Sequence, residues 1–354
     1  MTVTPAEQSA MRRALALAAR GPWPDPNPRV GCVLIDPDGQ TVGEGAHLGA
    51  GTPHAEVAAL HTAGAAARGA TAVVTLEPCD HTGRTGPCSQ ALIDAGIRRV
   101  VYAQADPNPA ATGGAGRLRA AGIDVVAGLL ADKAAALNRI WSTAMRTGRP
   151  VVRWKFATTL DGRSAATDGT ARWITSTAAR ADTHRLRAEC DTILVGTGTV
   201  AADDPRLTVR DPDDRPVARQ PLRAVMGLRD LAAGARVSDG AADTVLLRTR
   251  DPHRALADLF EHGRRHVFLE GGPTLAAAFL RAGLVDEVVA YVAPALLGAG
   301  PAAVGDLGIA TIAGALRLPV TDVTVLPAAT PDSDTNIRIT MTGTAIQAPG
   351  EGAH

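Results

Sequence analysis

The stretch that decides the fold and chemistry of this chain runs from His54 to Cys88. It opens with His54-Ala55-Glu56 and closes with Pro78-Cys79-Asp80-His81-Thr82-Gly83-Arg84-Thr85-Gly86-Pro87-Cys88. One imidazole and two thiols are ligands that zinc favours, and a catalytic zinc site keeps its fourth position open for water. Such a site also needs a nearby carboxylate that is not a ligand. The stretch therefore predicts a catalytic zinc site with His54, Cys79 and Cys88 as ligands and Glu56 as the carboxylate.

The predicted placement of these residues supports that interpretation. Pro53 precedes a helix predicted over 54–63, and Pro87 precedes a second helix that begins at Cys88. Helix amino termini carry partial positive charge and free amides, which favour thiolates. Because His54 and Glu56 are two residues apart, their side chains diverge, so one can bind metal while the other reaches the reacting water. Zinc lowers the pKa of that water, and Glu56 can carry its proton to a departing amine, which suits a deaminase.

A simpler interpretation remains open at this point. His-Ala-Glu is common by chance, and the residues could be a helix-capping glutamate, a packed histidine and two buried cysteines. The combination of His-x-Glu, a strand and two Pro-Cys pairs matches the zinc-deaminase signature in everything but its cysteine spacing. That signature places two residues between the cysteines, whereas eight lie between Cys79 and Cys88. The other two cysteines, Cys32 and Cys190, lie in apolar contexts and are predicted to be packing residues.

Length and composition limit the classes of function. A chain of 354 residues is long for one core, so two domains are expected. The chain has 36 basic and 36 acidic residues and only 3% aromatic residues, which argues against a nucleic-acid or membrane-surface binder and favours a small-molecule substrate. The N-terminal segment lacks the features of a signal peptide, and no window is apolar enough to span a membrane. We therefore expect a cytoplasmic protein without disulfides.

The order of predicted elements indicates an α/β fold in both halves. In the first half, strands are predicted at 30–35, 41–46, 72–76, 99–104 and 123–127, with helices at 5–20, 54–63, 88–95, 115–121 and 131–145. In the second, strands are predicted at 151–157, 192–195, 223–226, 244–247, 266–269, 288–292 and 337–342, with helices at 177–188, 253–261 and 274–281. Helices that join consecutive strands favour a largely parallel sheet. The break Thr147-Gly148-Arg149-Pro150 places the domain boundary, giving domains 1–147 and 150–345 and a frayed tail at 346–354.

Two glycine motifs in the second half indicate a phosphate site. One strand runs into Gly196-Thr197-Gly198-Thr199-Val200-Ala201, and another into Glu270-Gly271-Gly272-Pro273-Thr274, which opens a helix. A strand, a glycine pair and a helix amino terminus bring backbone amides to a phosphate. The first motif could be a Rossmann fingerprint, but the sequence shows no clear βαβ unit or ribose-binding acid at the expected distance. Two tight turns in an α/β domain remain the alternative.

At this level of detail the sequence closely resembles the bacterial bifunctional riboflavin biosynthesis proteins, in which a pyrimidine deaminase is fused to a reductase. In the first half the resemblance rests on Asn27-Pro28-Arg29-Val30-Gly31, Gly43-Glu44-Gly45-Ala46-His47, His54-Ala55-Glu56, the 78–88 segment and Asp106-Pro107-Asn108-Pro109. In the second half it rests on 155–163, Trp173-Ile174-Thr175-Ser176, 199–210 and 270–274. It extends over about 6–342. Two departures are Gly86, where that family often has a proline, and Ala171, where it usually has a serine that touches substrate.

The resemblance implies a cytidine-deaminase-like α/β/α domain followed by a dihydrofolate-reductase-like α/β domain. It implies one zinc ion per chain, held by His54, Cys79 and Cys88, with Glu56 as proton shuttle, and NADPH in the second domain. The implied residues of the pyrimidine pocket are Asn27, His47, His81, Arg84, Asp106 and Asn108. Those at the cofactor are Ala157, Trp173, Thr199, Asp203, Gly272, Pro273 and Thr274. Those at the reductase substrate are Lys155, Arg187, Leu207, Arg210 and Glu270.

The functional hypothesis is a two-step enzyme that forms a homo-oligomer, either a dimer or a tetramer. The first domain would remove the 2-amino group of 2,5-diamino-6-(5-phosphoribosylamino)pyrimidin-4-one, and the second would reduce the ribosyl group to ribityl with NADPH. Arg187 and Arg210 suit a ribose phosphate, which favours bidentate guanidinium partners. The alternatives are a nucleic-acid base deaminase with an accessory domain, a zinc-stabilised structural protein, and a chain in which only one half is active.

Overall fold

The computed structural model describes residues 2–82, 86–171, 173–328 and 335–342. Backbone contacts divide the chain into two compact units, with the boundary between Gly148 and Arg149. No helix in the described ranges is long and apolar enough to cross a membrane. The predicted pocket residue Arg84 and the predicted tail at 346–354 lie outside the described residues.

The first unit contains a mixed sheet with helices on both faces. Its strands have the order β2-β1-β3-β4-β5, with β1 antiparallel to β2 and β3, and with β3, β4 and β5 parallel. The strands are β1 (Gly31–Ile35), β2 (Thr41–Ala46), β3 (Thr71–Leu76), β4 (Arg99–Gln104) and β5 (Asp124–Ala127). The helices are α1 (Pro5–Ala18), α2 (Ala55–Ala63), α3 (Cys88–Asp94), α4 (Gly114–Ala120), α5 (Ala131–Leu137) and α6 (Arg139–Thr147).

Strand β1 lies between β2 and β3 and is buried along its whole length. Alternate side chains of a strand point to opposite faces, so Cys32 and Leu34 pack with α2 and α3. Val33 and Ile35 pack with α1 on the other face. The predicted packing role of Cys32 therefore agrees with its complete burial in the core.

Two glycines allow helices to approach the strand backbone closely. A Cβ atom on Gly45 of β2 would lie 2.1 Å from the carbonyl oxygen of Ala55, so α2 begins directly against the sheet. A Cβ atom on Gly114 would lie 1.8 Å from the carbonyl oxygen of Pro78, so α4 begins against the segment before Cys79. Any larger residue would force these backbones apart. These contacts fix the two segments that carry His54 and Cys79.

The second unit contains a larger sheet that is parallel in its centre. Its strand order is β12-β13-β11-β6-β10-β7-β8-β9, and only the β11–β13 and β12–β13 pairs of the described strands are antiparallel. The strands are β6 (Val151–Thr159), β7 (Thr192–Gly196), β8 (Leu222–Met226), β9 (Thr244–Leu247), β10 (His266–Leu269), β11 (Glu287–Ala293), β12 (Val320–Leu326) and β13 (Asn336–Thr342). The helices are α7 (Thr177–Ala188), α8 (Thr197–Asp203), α9 (Pro252–Glu261) and α10 (Pro273–Arg281).

The two faces of this sheet carry separate cores. Trp154 of β6 packs with Leu256 of α9 and Phe279 of α10 on one face. Val289 and Tyr291 of β11 pack with α7 on the other. Because side chains alternate along β6, Lys155 points to the α7 face. The carboxyl ends of β6, β10 and β7 lie side by side at one edge of the sheet, since these strands are parallel.

Three local predictions were wrong. The helix predicted at 131–145 is interrupted at Asn138, whose side chain pairs with the backbone of Arg29 through bonds of 2.9 and 2.8 Å. The motif at Gly196 does belong to a βαβ unit, because β7, α8 and β8 follow one another and β7 and β8 are parallel neighbours. Strand β12 was not predicted, although Val323-Thr324-Val325 alternates apolar and polar residues, because the valines of this exposed edge strand mark no core face.

Candidate metal centre and candidate reductase cleft

Three segments of the first unit bring their ligand atoms together. His54 caps α2, Cys88 begins α3, and Cys79 follows the end of β3. The Nδ1 atom of His54 lies 3.2 Å from Sγ of Cys88 and 3.6 Å from Sγ of Cys79. Tetrahedral zinc with bonds of about 2.0–2.3 Å needs ligand atoms roughly 3.5–3.8 Å apart. The distance to Cys79 falls in this range and that to Cys88 is a few tenths of an ångström shorter, so the donor set can close around one zinc ion.

The neighbouring groups favour a thiolate at Cys79. Hydrogen bonds from Cys88 and then His54 lower the pKa of the Cys79 thiol, against the opposing effect of burial. The backbone amide of Cys88 also donates to its sulfur at 3.5 Å. The hydrogen bond with Cys79 in turn raises the pKa of His54. A thiolate is the form of cysteine that binds metal.

Glu56 is buried beside these ligands and lies in the first turn of α2. Burial raises the pKa of its carboxyl group to about 7, because a charged carboxylate is disfavoured away from water. A group with a pKa near the working pH can both accept and release a proton. Glu56 is thus equipped to carry a proton between two partners at this site.

His47 packs against the ring of His54, and Asn27 contacts His47. The rings of His47 and His54 meet edge to face with centroids 5.5 Å apart. His47 is buried, with Nε2 at 3.1 Å from Nδ2 of Asn27 and Nδ1 at 3.1 Å from the carbonyl oxygen of Pro53. The loop that carries Asn27 is held by a hydrogen bond of 3.1 Å from Trp141 Nε1 to Pro26. The structure therefore brings both predicted pocket residues to the metal ligands.

Asp106 lies near Cys79 and His81, and Asn108 follows it in the same loop. The carboxylate of Asp106 accepts a 2.8 Å hydrogen bond from the amide of Asn108. Burial raises the pKa of Asp106 to about 6, and the charges of Glu77 and Cys79 act in the same direction while that of His81 opposes them. The Nδ1 atom of His81 is buried without a hydrogen-bond partner among the described residues.

Sequence reasoning missed two acids that hold this site together. The carboxylate of Glu77 accepts from the amides of Asp106 at 3.4 Å and Ala115 at 3.1 Å, and thus joins two loops. Asp80 accepts from Ser89 Oγ at 2.6 Å and from Arg117 at 3.0 Å. Both acids flank Pro78-Cys79 in the sequence, and this position next to a predicted ligand was the signal that could have identified them.

The second unit contains a mostly buried ion cluster at the carboxyl end of β10. Arg187 of α7 donates to both oxygens of Glu270, at 2.5 and 2.7 Å, and to the carbonyl oxygen of Thr208 at 2.9 Å. Burial raises the pKa of Glu270, but its pairing with Arg187 outweighs this effect and leaves the pKa below its usual value. For Lys155, burial lowers the pKa, and the nearby charge of Glu270 partly offsets this effect. The structure thus brings together three of the predicted substrate residues.

The other two predicted substrate residues lie in the segment after α8. Arg210 donates to the carboxylate of Asp214 at 2.7 and 2.8 Å, and its amide donates to Nδ1 of His184 at 3.3 Å. Leu207 is buried and has a positive φ of 52°, which is rare for a branched side chain. His184 was not predicted from the sequence. Burial and then the charge of Arg187 lower its pKa.

The predicted cofactor residues fall into two groups. Ala157 of β6, Thr199 of α8 and the 272–274 segment before and within α10 lie at the carboxyl ends of adjacent strands. There the amide of Gly272 donates to Thr199 Oγ1 at 3.3 Å, and a Cβ atom on Gly272 would contact only that oxygen, at 3.9 Å. This open backbone suits a phosphate-bearing cofactor. Asp203 ends α8, while Trp173 is 70% exposed in the segment before α7, with Arg180 stacked 4.3 Å from its ring.

Comparisons with known proteins agree with this division into two sites. Residues 4–104 match the cytidine and deoxycytidylate deaminase zinc-binding region, and residues 150–329 match the RibD C-terminal domain. The riboflavin biosynthesis protein RibD of Mycobacterium tuberculosis (strain H37Rv) is 55% identical over 82% of this chain and 86% of its own length. That of Escherichia coli K12 is 45% identical over 81% of this chain and 88% of its own.

Solved structures show the same similarity over nearly the whole chain. Acinetobacter baumannii RibD in its second form has a TM-score of 0.81 and 40% identity, and the match covers 95% of this chain and 99% of that one. A Thermotoga maritima protein described as a diaminohydroxyphosphoribosylaminopyrimidine deaminase/5-amino-6-(5-phosphoribosylamino)uracil reductase has a TM-score of 0.76 and 31% identity, with coverages of 96% and 99%. These two matches and the zinc-binding family model agree with the mixed α/β fold and the His-Cys-Cys site described above.

The metal centre can be tested by zinc content. We expect about one zinc ion per chain in the wild type, because three ligands meet in tetrahedral spacing. The variant Cys88→Ser should retain less than about a tenth of that after dialysis against a weak chelator. Cys32→Ala, which changes a buried cysteine outside the ligand set, should keep the full content by inductively coupled plasma mass spectrometry. Equal zinc in both variants would contradict the assignment.

The ion pair of the second unit predicts a pH-dependent loss of stability. Arg187→Met should reduce the free energy of unfolding at pH 7 by about 3–5 kcal/mol, since it leaves a buried carboxylate without a partner. In the wild type the lowered pKa of Glu270 gives stability that is present above about pH 4.5 and is lost as the pH falls through the folded-state value. In the variant the charges of Lys155 and His184 still lower this pKa, but the larger contribution of Arg187 is gone and burial dominates. We therefore expect the folded pKa of Glu270 to lie above the unfolded one, so that acid stabilises the variant. The difference in unfolding free energy between the wild type and Arg187→Met should therefore shrink as the pH falls towards about 4.5. Urea unfolding followed by fluorescence measures it.

A matched control is Arg254→Met, which breaks an exposed pair with Asp258 on α9. Exposed pairs contribute at most about 1 kcal/mol, so this variant should stay close to the wild type at every pH. A deficit of Arg187→Met that stays constant between neutral and acid pH would show that Glu270 is not the group left unpaired.

Proposed function

The chain belongs to the RibD family of riboflavin biosynthesis proteins, and from that premise we propose how its two units divide a deamination and a reduction. The protein is a deaminase and a reductase of riboflavin biosynthesis, with zinc and NADPH as its cofactors. In our proposal residues 1–147 deaminate 2,5-diamino-6-(5-phosphoribosylamino)pyrimidin-4-one. Residues 150–345 then reduce the ribosyl group of the product to ribityl. The observation that carries the proposal is the meeting of His54, Cys79 and Cys88 beside the buried carboxyl group of Glu56.

In the deaminase unit, His54, Cys79 and Cys88 hold the zinc ion and Glu56 moves the proton. Zinc, when bound, polarises a water so that it can attack the pyrimidine carbon at neutral pH. Glu56 accepts a proton from that water and returns it to the departing amine. Its buried position supports this role, because burial brings its pKa to about 7 and equalises the two protonation states. Ammonia then leaves as a neutral molecule.

The pyrimidine pocket is proposed to be lined by residues from both sides of the metal ligands. Asn27 and His47 present an amide and an imidazole next to the ring of His54, and these groups can pair with polar edges of a base. Asp106, Asn108 and His81 supply a carboxyl, an amide and an imidazole nitrogen that has no partner among the described residues. Arg84, outside the described residues, is kept as a pocket residue on the resemblance alone.

In the reductase unit, Lys155 is proposed to act at the ribose and Arg210 at its phosphate. NADPH, when bound, supplies the hydride. Ala157, Thr199, Gly272, Pro273 and Thr274, together with Trp173 and Asp203, are the residues proposed to hold it. Lys155 keeps an ammonium donor near Glu270, where it can stabilise negative charge on a sugar oxygen.

The two arginines have different capacities for phosphate in this proposal. The partner of Arg210 is Asp214, whose side chain is 77% exposed, so an incoming phosphate can displace it into water. The partner of Arg187 is the mostly buried Glu270, which already occupies the guanidinium with two hydrogen bonds. Arg210 is therefore the principal phosphate ligand, while Arg187 with Leu207 and Glu270 shapes the floor beside it.

The alternatives raised by the sequence are less well supported. The relatives are riboflavin biosynthesis proteins, which does not favour a nucleic-acid base deaminase. A structural zinc site is normally closed by four protein ligands, whereas the described residues group three ligands with a buried carboxyl group beside them. The alternative that only one half is active is addressed by measuring the two reactions separately.

The division of labour predicts that the two activities can be lost independently. Glu56→Gln should slow deamination by about 10²–10⁴-fold, because the amide cannot carry a proton, while reduction of pre-deaminated substrate should stay unchanged. Mass spectrometry of the products, with and without NADPH, measures both steps. Deamination should occur without NADPH, and two added hydrogens should be found only with it.

The control variant is Glu44→Gln, since this acid forms a surface pair with Arg13 away from the metal ligands. It should leave both reactions at the wild-type rate. Loss of both activities in folded Glu56→Gln would contradict the assignment of one reaction to each unit, and no consumption of the diaminopyrimidine by zinc-replete protein would contradict the deaminase assignment itself.

The homo-oligomer is also a proposal, either a dimer or a tetramer. Among the described residues, edge strand β12 exposes Val320, Val323 and Val325 by 57–62%, and exposed apolar edge strands tend to be covered by another chain. Light scattering should give two or four times the 36.3 kDa of one chain, and a mass of one chain would contradict it.

A cytoplasmic location is proposed because the site needs reduced thiols at Cys79 and Cys88. Recovery of the protein from an oxidising compartment would contradict it.

A further inference from the structure

Lys155 lies over the face of a tyrosine ring. Its Nζ atom is 5.6 Å from the ring centroid of Tyr291, which is completely buried on neighbouring strand β11. Tyr291 lies opposite Ala157, two residues beyond Lys155 on β6, so both side chains share the α7 face of the sheet. A cation within about 6 Å of a ring centroid is attracted by the negative face of the ring. The ring is thus a partner for the ammonium group.

Polar contacts fix the plane of that ring. The Tyr291 hydroxyl donates to Asp182 of α7 at 2.7 Å. Arg338 of β13 donates to the same carboxylate at 2.8 and 3.1 Å. The guanidinium of Arg338 is itself held by Asp322 at 2.9 Å and Thr324 at 2.8 Å, both on β12. A chain of hydrogen bonds therefore runs from the sheet edge to the ring beneath Lys155.

The ammonium group has little else to hold it in place. Lysine has a flexible four-carbon stem that is costly to fix in one conformation. Glu270 attracts Lys155, but both oxygens of that carboxylate already accept hydrogen bonds from Arg187. In the part of the chain that the structure describes, Lys155 donates no hydrogen bond. The ring and the charge of Glu270 therefore orient the ammonium group without occupying its three N–H donors.

We propose that Tyr291 is a positioning residue of the reductase site. The face of its ring holds the ammonium group of Lys155 by a cation–π contact, and the Asp182–Arg338 pair fixes the ring. We call this ring with its two supporting residues the seat of Lys155. The inference rests on the proposed role of Lys155 at the ribose. The seat keeps the ammonium directed at the sugar while leaving its hydrogen-bond donors for the substrate. Tyr291 acts through Lys155 and has no contact with substrate in this proposal.

A double-mutant cycle in the full chain tests the inference. Tyr291→Leu removes the ring and should lower the single-turnover rate of reduction about 10–30-fold at saturating NADPH. The substrate KM and the NADPH Kd from fluorescence titration should change less than about twofold, because the seat orients a group that acts in the transition state. Tyr291→Phe keeps the ring and should stay within about threefold of the wild type. In the Lys155→Met background, Tyr291→Leu should cause no further loss.

The controls separate positioning from general packing. Phe268→Leu removes another completely buried ring from the same core cluster and should leave the reduction rate within about twofold of the wild type. Asp182→Asn disturbs the seat without removing its ring, so any loss it causes must also vanish in Lys155→Met, which keeps the test open if Tyr291→Leu does not fold. The deamination rate of each preparation gives an internal measure of active protein.

The outcomes distinguish this inference from the proposal on which it rests. The positioning role of Tyr291 would be contradicted if Tyr291→Leu lowered the reduction rate as much in the Lys155→Met background as in the wild type. It would also be contradicted if Tyr291→Phe were as slow as Tyr291→Leu. A Lys155→Met variant that reduces at the wild-type rate would instead overturn the role of Lys155 itself, and with it the proposed chemistry of the cleft.

Discussion

The metal centre depends on how closely helix α2 can approach strand β2. Gly45 has no side chain, and the carbonyl oxygen of Ala55 occupies the space where a Cβ atom would lie, at 2.1 Å. This contact fixes the start of α2, and with it His54 as a ligand and Glu56 as a buried carboxyl group. The opposite side is fixed in the same way, since Gly114 admits the carbonyl of Pro78 just before Cys79. The two glycines therefore help to place His54 and Cys79, two of the three candidate ligands.

The reductase cleft depends on long-range charge pairs rather than on close backbone approach. The carboxyl ends of parallel strands provide the location, as they do in open α/β sheets generally. At that edge, the guanidinium group of Arg187 donates to the carboxylate of Glu270, which lies 83 residues further along the chain. Both groups are mostly buried. Removal of either partner would leave an uncompensated charge in a low-dielectric region. The pair therefore holds the carboxylate of Glu270 in place at the carboxyl end of β10.

Local patterns in the sequence were sufficient for the parts of the fold that are decided locally. The buried run of β1, the prolines before α2 and α3, and the spacing of His54, Cys79 and Cys88 indicated the first unit and the group that could hold a metal ion. Features decided by distant partners were missed. Asn138 breaks a helix because it binds the backbone of Arg29, 109 positions away. Strand β12 was missed despite the alternation at Val323-Thr324-Val325, because its valines are exposed and mark no core face. No local pattern links Tyr291 to Asp182.

The two sites use one physical effect with opposite signs. Burial disfavours whichever form of a group is charged, so it raises the pKa of the Glu56 carboxyl to about 7 and lowers the pKa of the Lys155 ammonium. Both shifts bring an ionisable group towards neutral pH, where proton transfer is efficient. Glu270 is in the same class of environment, yet its pKa falls because Arg187 binds its charged form. Burial alone therefore does not decide whether an acid carries protons or stays charged, and the presence of a bound guanidinium does. A carboxyl group without such a partner, as at Glu56, suits proton transfer, whereas one with it, as at Glu270, serves as a fixed negative charge.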